Sequence, residues 1–455
     1  MSLAEIASAA KAGEGAIKGE PRNDVPGVTF FRIGPFFNNF PDSPYANIYY
    51  FDKINNSSVV GNGGGRMVEI LLELLKAIGR MFLNPLLYFA IIMAIFLGYV
   101  RVKRERKHFN IRILWGWSEL AGLVKEGIWL SLAISLVTLV FGLTQSVELL
   151  FFVAVFGILG MILYNFHLLS PIVLIGLSLA SLMVMDFQQW SFELPGLSIH
   201  GVDVLEGAAV TSALVAGLLL IAESRLIKKY GLHYASPIIE KSKRGMHGVA
   251  FFTKKLWLLP IFFVVPGEAI DAYFPWWPLF SLNSQQFALV LFPFVIGFQQ
   301  KTRRSLPLYI YPKLSRAVLI LGEVVLVGGL AGYFYPLAAV VAVFAGALAR
   351  LMISYIFKVR ERKDVYAVSA RPNGVMIAAV LPNSPAEKMG LQAGEIIRKV
   401  NGMEVHNELE LYQALQINAA HCKLEVLNHH NELRLTQHVV HSKDHYRIGL
   451  LVIDS

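Results

Sequence analysis

Between Leu83 and Phe357 the chain is a succession of apolar stretches, at 83–100, 127–144, 147–164, 168–185, 204–222, 256–274, 286–298, 317–334 and 336–357. Several fall slightly short of the roughly 20 residues that a helix needs to cross a bilayer. The pattern predicts eight or nine crossings. The stretches at 256–274 and 286–298 contain or adjoin Pro260, Pro266, Pro275, Pro278 and Pro293, so one of them is expected to be kinked or re-entrant. Ahead of the first stretch, Glu69, Glu73, Lys76 and Arg80 recur at helical spacing opposite leucines. This predicts an amphipathic helix over 68–82, lying in the membrane interface.

After Lys363 the pattern becomes that of a soluble module. Gly374 to Val380 reads as a short apolar strand. In Leu381-Pro382-Asn383-Ser384-Pro385-Ala386-Glu387-Lys388-Met389-Gly390-Leu391, Ser384 is a helix cap, Pro385 takes the first helical position, Glu387 closes a capping box and Gly390 ends the helix. Glu395 to Val400 is a second strand, turned by Asn401-Gly402. Asn407 caps a second helix with Glu410 at the box position and Leu411, Ala414 and Leu415 as its core stripe. A hairpin over 422–440 and a strand from Arg447 to Ile453 complete the module.

Composition changes the picture in three ways. Hydrophobic residues make up 55% of the 455 and charged residues 16%, too apolar for a soluble globular protein of this size. The net charge of +9 does not indicate nucleic acid, because the cations cluster at the ends of apolar spans. They follow the first span (Arg101 to Arg112), fill the 223–255 and 299–316 loops and follow the last span, while 186–203 and 275–286 hold no Lys or Arg. The positive-inside rule then places the basic loops and the C-terminal module in the cytoplasm, against a lipid bilayer. The single cysteine, Cys422, excludes a disulfide framework and any multi-cysteine metal site, and reads as a buried, reduced thiol.

Residues 1–66 differ from the rest, being rich in Gly, Asn, Pro and Ser without helical or strand period. They are expected to be translated leader, because Gly63-Gly64-Gly65-Arg66 is codable by a purine-rich ribosome-binding site ahead of a start at Met67. The alternative is a disordered extension.

The strings Val-Leu-Pro-Asn-Ser-Pro-Ala-Glu, Gly-Leu-Gln-Ala-Gly-Glu-Ile-Ile and Val-Asn-Gly-Met-Glu-Val, in this order, resemble a bacterial PDZ domain over 364–455. The expected architecture is thus an all-α polytopic domain of eight or nine transmembrane helices (67–363) followed by an α+β PDZ domain (364–455). Tyr446-Arg447-Ile448-Gly449-Leu450-Leu451 resembles the Gly-Leu-Gly-Phe-type loop at the C-terminal end, departing from it in having one glycine. The resemblance implies carboxylate capture by backbone N–H groups of Arg447, Ile448, Gly449 and Leu450, with a peptide strand added beside 448–453. Glu408 and Tyr412, one helical turn apart and off the core stripe, are expected to line the groove. The alternative is a PDZ that packs on its own membrane domain without a free groove.

Candidate chemistry is sparse. No His-Glu-x-x-His motif and no Gly-x-Ser-x-Gly turn is present, so neither intramembrane metalloprotease nor serine hydrolase chemistry is indicated, and no enzyme activity is expected. No cofactor is implied. His429 and His430 share a turn without a matching ligand set and are expected to face solvent rather than a metal. Glu323 lies well inside a span. It is a candidate for an ion path, or for a partner inside the bundle.

Phe82-Leu83-Asn84-Pro85-Leu86-Leu87-Tyr88 running into Gly98-Tyr99-Val100-Arg101-Val102-Lys103-Arg104-Glu105-Arg106, with Phe109-Asn110-Ile111-Arg112 and Leu169-Ser170-Pro171, is similar to the MinJ family of cell-division topology proteins. The resemblance covers 67–455. It implies a multi-pass membrane adaptor at septa and poles, linking a DivIVA-like polar scaffold to MinD, and to MinC through it, along with other division proteins. Two further classes stay open at the level of sequence: a polytopic transporter, and a protease-associated scaffold with a regulatory PDZ domain.

Overall fold

The computed structural model describes residues 63–455 apart from 195–196, 201–207, 242–244, 246, 272–276, 279–285, 363–365, 371–372, 418–420, 440–447 and 454–455. Most of the compositionally distinct N-terminal segment, positions 1–62, therefore lies outside the described residues.

The chain opens with α1 (Gly63–Leu83), α2 (Pro85–Phe109), the short α3 (Ser118–Lys125), α4 (Ile128–Phe141), α5 (Val147–Ile162) and α6 (Pro171–Gln188). A small hairpin, β1 (Ser191–Leu194) and β2 (Leu197–His200), precedes α7 (Ala209–Tyr230) and β3 (Ser236–Lys241). Next come two long strands, β4 (His247–Asp271) and β5 (Gln286–Thr302), then α8 (Pro307–Ala331) and α9 (Pro336–Arg360). Among the described residues, six helical segments are long and apolar enough to cross a membrane: α2, α3 with α4, α6, α7, α8 and α9, with α5 apolar but shorter.

Seven of the nine apolar stretches are thus helical, and the expectation of eight or nine helices is corrected at the other two. Residues 256–274 and 286–298 lie in the antiparallel hairpin of β4 and β5. Pro260 and Pro293 stand directly opposite each other in its register, a position where neither strand needs a donor from the other. In a helix both would break the ladder. Strand backbone at membrane depth is viable only where protein satisfies its outer edges, and the flanking helices do so. On the β4 edge, Ser131 donates to the Pro260 carbonyl, Phe262 N–H donates to Ser135 Oγ at 3.0 Å, Thr138 donates to the Phe262 carbonyl at 2.6 Å, and Gln145 N–H donates to Val264 at 2.8 Å. On the β5 edge, Gly297 N–H donates to Leu169 at 3.0 Å and Arg80 donates to the Leu289 carbonyl at 2.8 Å. The residues served, 260, 262 and 264, then 289 and 297, share the strand parity that turns backbone groups outward.

The expected amphipathic helix is present as α1. Glu73 is buried beneath it, bonded to Arg80 at 2.6 Å, while Leu71, Leu72, Leu75 and Ile78 are exposed. The centre of the bundle is α7, against which α8 and α9 pack. Gly217 lies against Leu326, and Gly322 against Leu220, letting helix backbones approach closely. Glu223 on α7, fully buried, pairs with Arg350 on α9 and accepts from Ser170 at 2.7 Å.

The C-terminal module contains β6 (Val368–Ser369), β7 (Val375–Val380), α10 (Pro385–Lys388), β8 (Ile396–Val400), β9 (Met403–Glu404), α11 (Glu408–Ile417), β10 (His421–Leu427), β11 (Leu433–Val439) and β12 (Leu450–Val452). Its sheet runs β11-β10-β8-β7-β12. The caps form as the spacing requires: Glu387 N–H donates to Ser384 Oγ at 3.3 Å, and Glu410 N–H donates to Asn407 Oδ1 at 2.8 Å. Cys422 is buried in the core.

Both faces of this sheet are apolar over β7, β8 and β12. Val375, Ile377, Ile397, Leu450 and Val452 face the module's own core, with Leu411 and Ala414 of α11. Met376, Ala378, Ile396, Leu451 and Ile453 form the opposite face and pack on Val249, Phe251 and Leu306 of the membrane domain. Phe109, Ile111 and Ile113 cover the edge of that contact. The module is docked on the end of the bundle where the basic loops emerge.

Candidate peptide-binding groove

Among the described residues the last strand, β12, pairs only with β7 and stands at the edge of the sheet. An edge strand beside a helix is the geometry by which an extended peptide adds to a sheet. Between β12 and α11 lies a cavity of about 360 Å³, lined by Glu408, Tyr412, Gly449, Leu450, Leu451, Val452 and Leu381. Four of the sequence-derived site residues, Glu408, Tyr412, Gly449 and Leu450, therefore meet around one space. Ile448 packs at the margin of the module core instead, and Arg447 lies outside the described residues.

The entry to β12 is held from both sides. The Ile448 carbonyl accepts from Ala386 N–H at 2.9 Å, and the Gly449 carbonyl accepts from Leu381 N–H at 2.8 Å. Gly449 has φ +87°, and a Cβ there would lie 2.2 Å from Ser384 Cβ. Conformation and space both demand glycine at this point. The departure from a two-glycine loop thus leaves the glycine that the turn requires. Tyr412 is 40% exposed; burial first, and then Glu408 one turn away, push its hydroxyl above the ordinary phenol range.

One wall of the cavity was not foreseen. His108, Phe109, Asn110 and Ile111, from the end of α2, and Ile239 of β3 line it as well. This turn is fixed from within the bundle. Arg101, the first cation after the first span, is buried and bonds Glu119 at 2.5 Å and Glu105 at 3.0 Å. Glu105 in turn accepts from Ile113 N–H at 2.8 Å, and Arg101 donates to the Trp115 carbonyl at 2.8 Å. One sheet face packs on the bundle, and the cavity lies along the strand edge beside it. The faint signal for the second wall was Phe109-Asn110-Ile111, whose aromatic and aliphatic side chains follow a cationic helix end.

The histidine expectation is corrected in part. His430 is exposed, but His429 is half-buried, its Nε2 3.0 Å from the Ala393 carbonyl and its ring 5.8 Å from that of Tyr309 on α8. It belongs to the docking contact. Among the described residues no group of three or more His, Cys, Asp or Glu is placed to hold a metal ion.

A PDZ-domain family model matches residues 376–428. Over 390 residues the chain is 32% identical to the cell division topological determinant MinJ of Bacillus subtilis (strain 168), spanning 84% of this chain and 95% of that protein. The chain belongs to the MinJ family. A probable MinJ of Lacticaseibacillus paracasei is 27% identical over 301 residues, 62% of this chain and 78% of that one. A probable periplasmic serine endoprotease, DegP-like, of Marinomonas sp. (strain MWYL1) is 51% identical over 41 residues, 9% of each chain. The MinJ likeness spans the bundle and the PDZ module together, whereas the protease likeness is local. This MinJ-family chain is a cell-division protein with apolar spans and a PDZ domain.

Proposed function

We propose that this protein is a membrane-anchored adaptor in division-site selection, with no chemistry of its own. In this reading it bridges a polar, curvature-sensing scaffold of the DivIVA type to the MinC–MinD division inhibitor. It resides in the cell membrane at septa and poles, with the PDZ module cytoplasmic. The observation that carries the reading is the open edge of β12 beside Glu408 and Tyr412, held by the bundle at its basic end. A groove fixed to the anchor presents a captured chain segment at a constant distance from the bilayer, as a recruiter confined to the membrane plane requires. Family membership supports the division role. The basic clusters at the docked end support a cytoplasmic module.

The test is Tyr412→Lys in the full chain, in the bacterium that carries it, with MinD and the DivIVA-type scaffold fluorescently tagged. The expected result is normal membrane insertion with MinD dispersed from septa and misplaced divisions. Unchanged MinD localisation and septum placement, at normal protein level, would refute the groove's part in the bridge.

A further inference from the structure

Glu323 does not have the interior position that its depth led us to expect. On α8 it faces away from the bundle, and it makes no hydrogen bond or ion pair among the described residues. Its neighbours on that face, Ile320, Val324, Val327 and Leu330, are 53, 61, 63 and 52% exposed. It lines no interior path.

Its depth follows from the helix rise. Lys313 and Tyr333 lie ten residues to either side, about 15 Å each at 1.5 Å per residue. Tyr333, Phe334 and Tyr335 are 63, 76 and 73% exposed, an aromatic belt of the kind found at the membrane surface. Lys313, at the other end, is exposed. Arg316, also exposed, lies seven residues before Glu323, roughly 10 Å at 1.5 Å per residue, so Glu323 falls inside a hydrocarbon core about 30 Å thick. Its short side chain cannot reach either headgroup region, and a carboxyl group in hydrocarbon needs a hydrogen-bonding partner.

We propose that the outer face of α8 around Glu323 docks a transmembrane helix of another membrane protein, one that carries a lysine or a side-chain amide at its midpoint. A second copy of this chain fits less well. Apart from Glu323 itself, which would set one carboxyl against another, its exposed residues include Ile92 and Ile95 on α2, Leu132 and Leu136 on α4 and Leu348 on α9, none of which donates. Ser181, partly exposed on α6, spends its hydroxyl on the Leu177 carbonyl. This surface is independent of the PDZ groove, on the opposite side of the adaptor's work: it selects neighbours within the bilayer.

The experiment uses the full chain, fluorophore-labelled, in phosphatidylcholine vesicles. The probe is a leucine-rich spanning helix carrying Lys, Gln or Leu at its centre and an acceptor fluorophore. Energy transfer should report association on the order of tenfold tighter for the Lys and Gln helices than for the Leu helix. That preference should vanish in Glu323→Leu. Glu323→Gln should keep the preference for the Gln helix and lose most of that for the Lys helix. Gel filtration should show each variant still folded, as substitution on a lipid-facing position predicts. Equal association of all three helices, or a preference that survives Glu323→Leu, would overturn the proposal. So would Glu323-dependent transfer between two labelled copies that excludes the probe helix, since the face would then be a self-interface.

Discussion

Thr138 on α4 donates its hydroxyl to the carbonyl of Phe262, 2.6 Å away, in a strand 124 residues further along the chain. Three residues earlier, Ser135 accepts from the N–H of the same Phe262 at 3.0 Å. One helix face thus serves both outward groups of a single strand residue. Thr138→Val keeps the shape and removes the donor, leaving a buried carbonyl unpaired at a cost of about 1–3 kcal/mol. A lowered unfolding midpoint in detergent is the expected outcome, with Thr138→Ser close to wild type. A Val variant as stable as the Ser variant would show that the strand edge is satisfied in some other way.

The same contact explains what could be read from sequence and what could not. Apolar length alone does not distinguish a spanning helix from a strand hidden inside a bundle. The residues around it do. Ile261-Phe262-Phe263-Val264-Val265 favours a strand, and Pro260, Pro266 and Pro293 disfavour a helix. The stripe Ser131, Ser135 and Thr138 on a neighbouring span was the missing complement. In the PDZ module the caps at Ser384 and Asn407 and the turn at Asn401-Gly402 were legible, because those signals are local. Glu408 and Tyr412 followed from the spacing of the second helix, whereas Gly449 and Leu450 came from the resemblance of 446–451 to a Gly-Leu-Gly-Phe-type loop. The wall formed by residues 108–111 was not legible, since it depends on docking between segments some 300 residues apart. Even so, the unbroken apolar runs Val375–Ala379 and Leu450–Ile453 carried a hint that the sheet is covered on both faces.

Gly449 sits where a side chain is excluded twice, by its φ of +87° and by Ser384. Gly449→Ala should cost about 1–3 kcal/mol of module stability and displace the start of β12. Peptide capture should fall further than stability does, because the displaced strand is the groove's edge. Adding Ser384→Gly relieves the contact but not the backbone strain, so it should recover only part of the loss. Full recovery in the double variant would mean that sterics alone set the requirement.

Leu306 lies between the bundle and the module, in the cluster that includes Met376, Ile396 and Leu451. Leu306→Asp puts a charge into that contact without touching either domain's own core. The module should undock while remaining folded, and limited proteolysis should gain a cut near residues 361–374. Capture by the groove should weaken as well, because the wall at 108–111 would be left behind. Unchanged proteolysis would show that the contact tolerates a charge and does not hold the module in place.

Cys422 reports the module's fold but not its side of the membrane. It is 2% exposed, and burial pushes its thiol up to about 11. At pH 8 the folded module then holds about one thousandth of its thiol as the reactive thiolate, behind a closed core. Alkylation under native conditions should therefore track unfolding of the module and be as slow from one side of the membrane as from the other. The sign of the linkage follows from the same shift. Unfolding returns the thiol to its ordinary, lower value, so above that value the unfolded chain loses a proton that the folded one keeps. Stability should fall as pH rises from the ordinary thiol range towards 11, and Cys422→Ala should flatten that fall. Sidedness needs an exposed reporter, and Lys423, next in the strand, is exposed. Lys423→Cys in a Cys422→Ala chain should react with a membrane-impermeant maleimide only in inverted vesicles. Labelling in intact cells would place the PDZ module outside, where it could not meet a cytoplasmic partner.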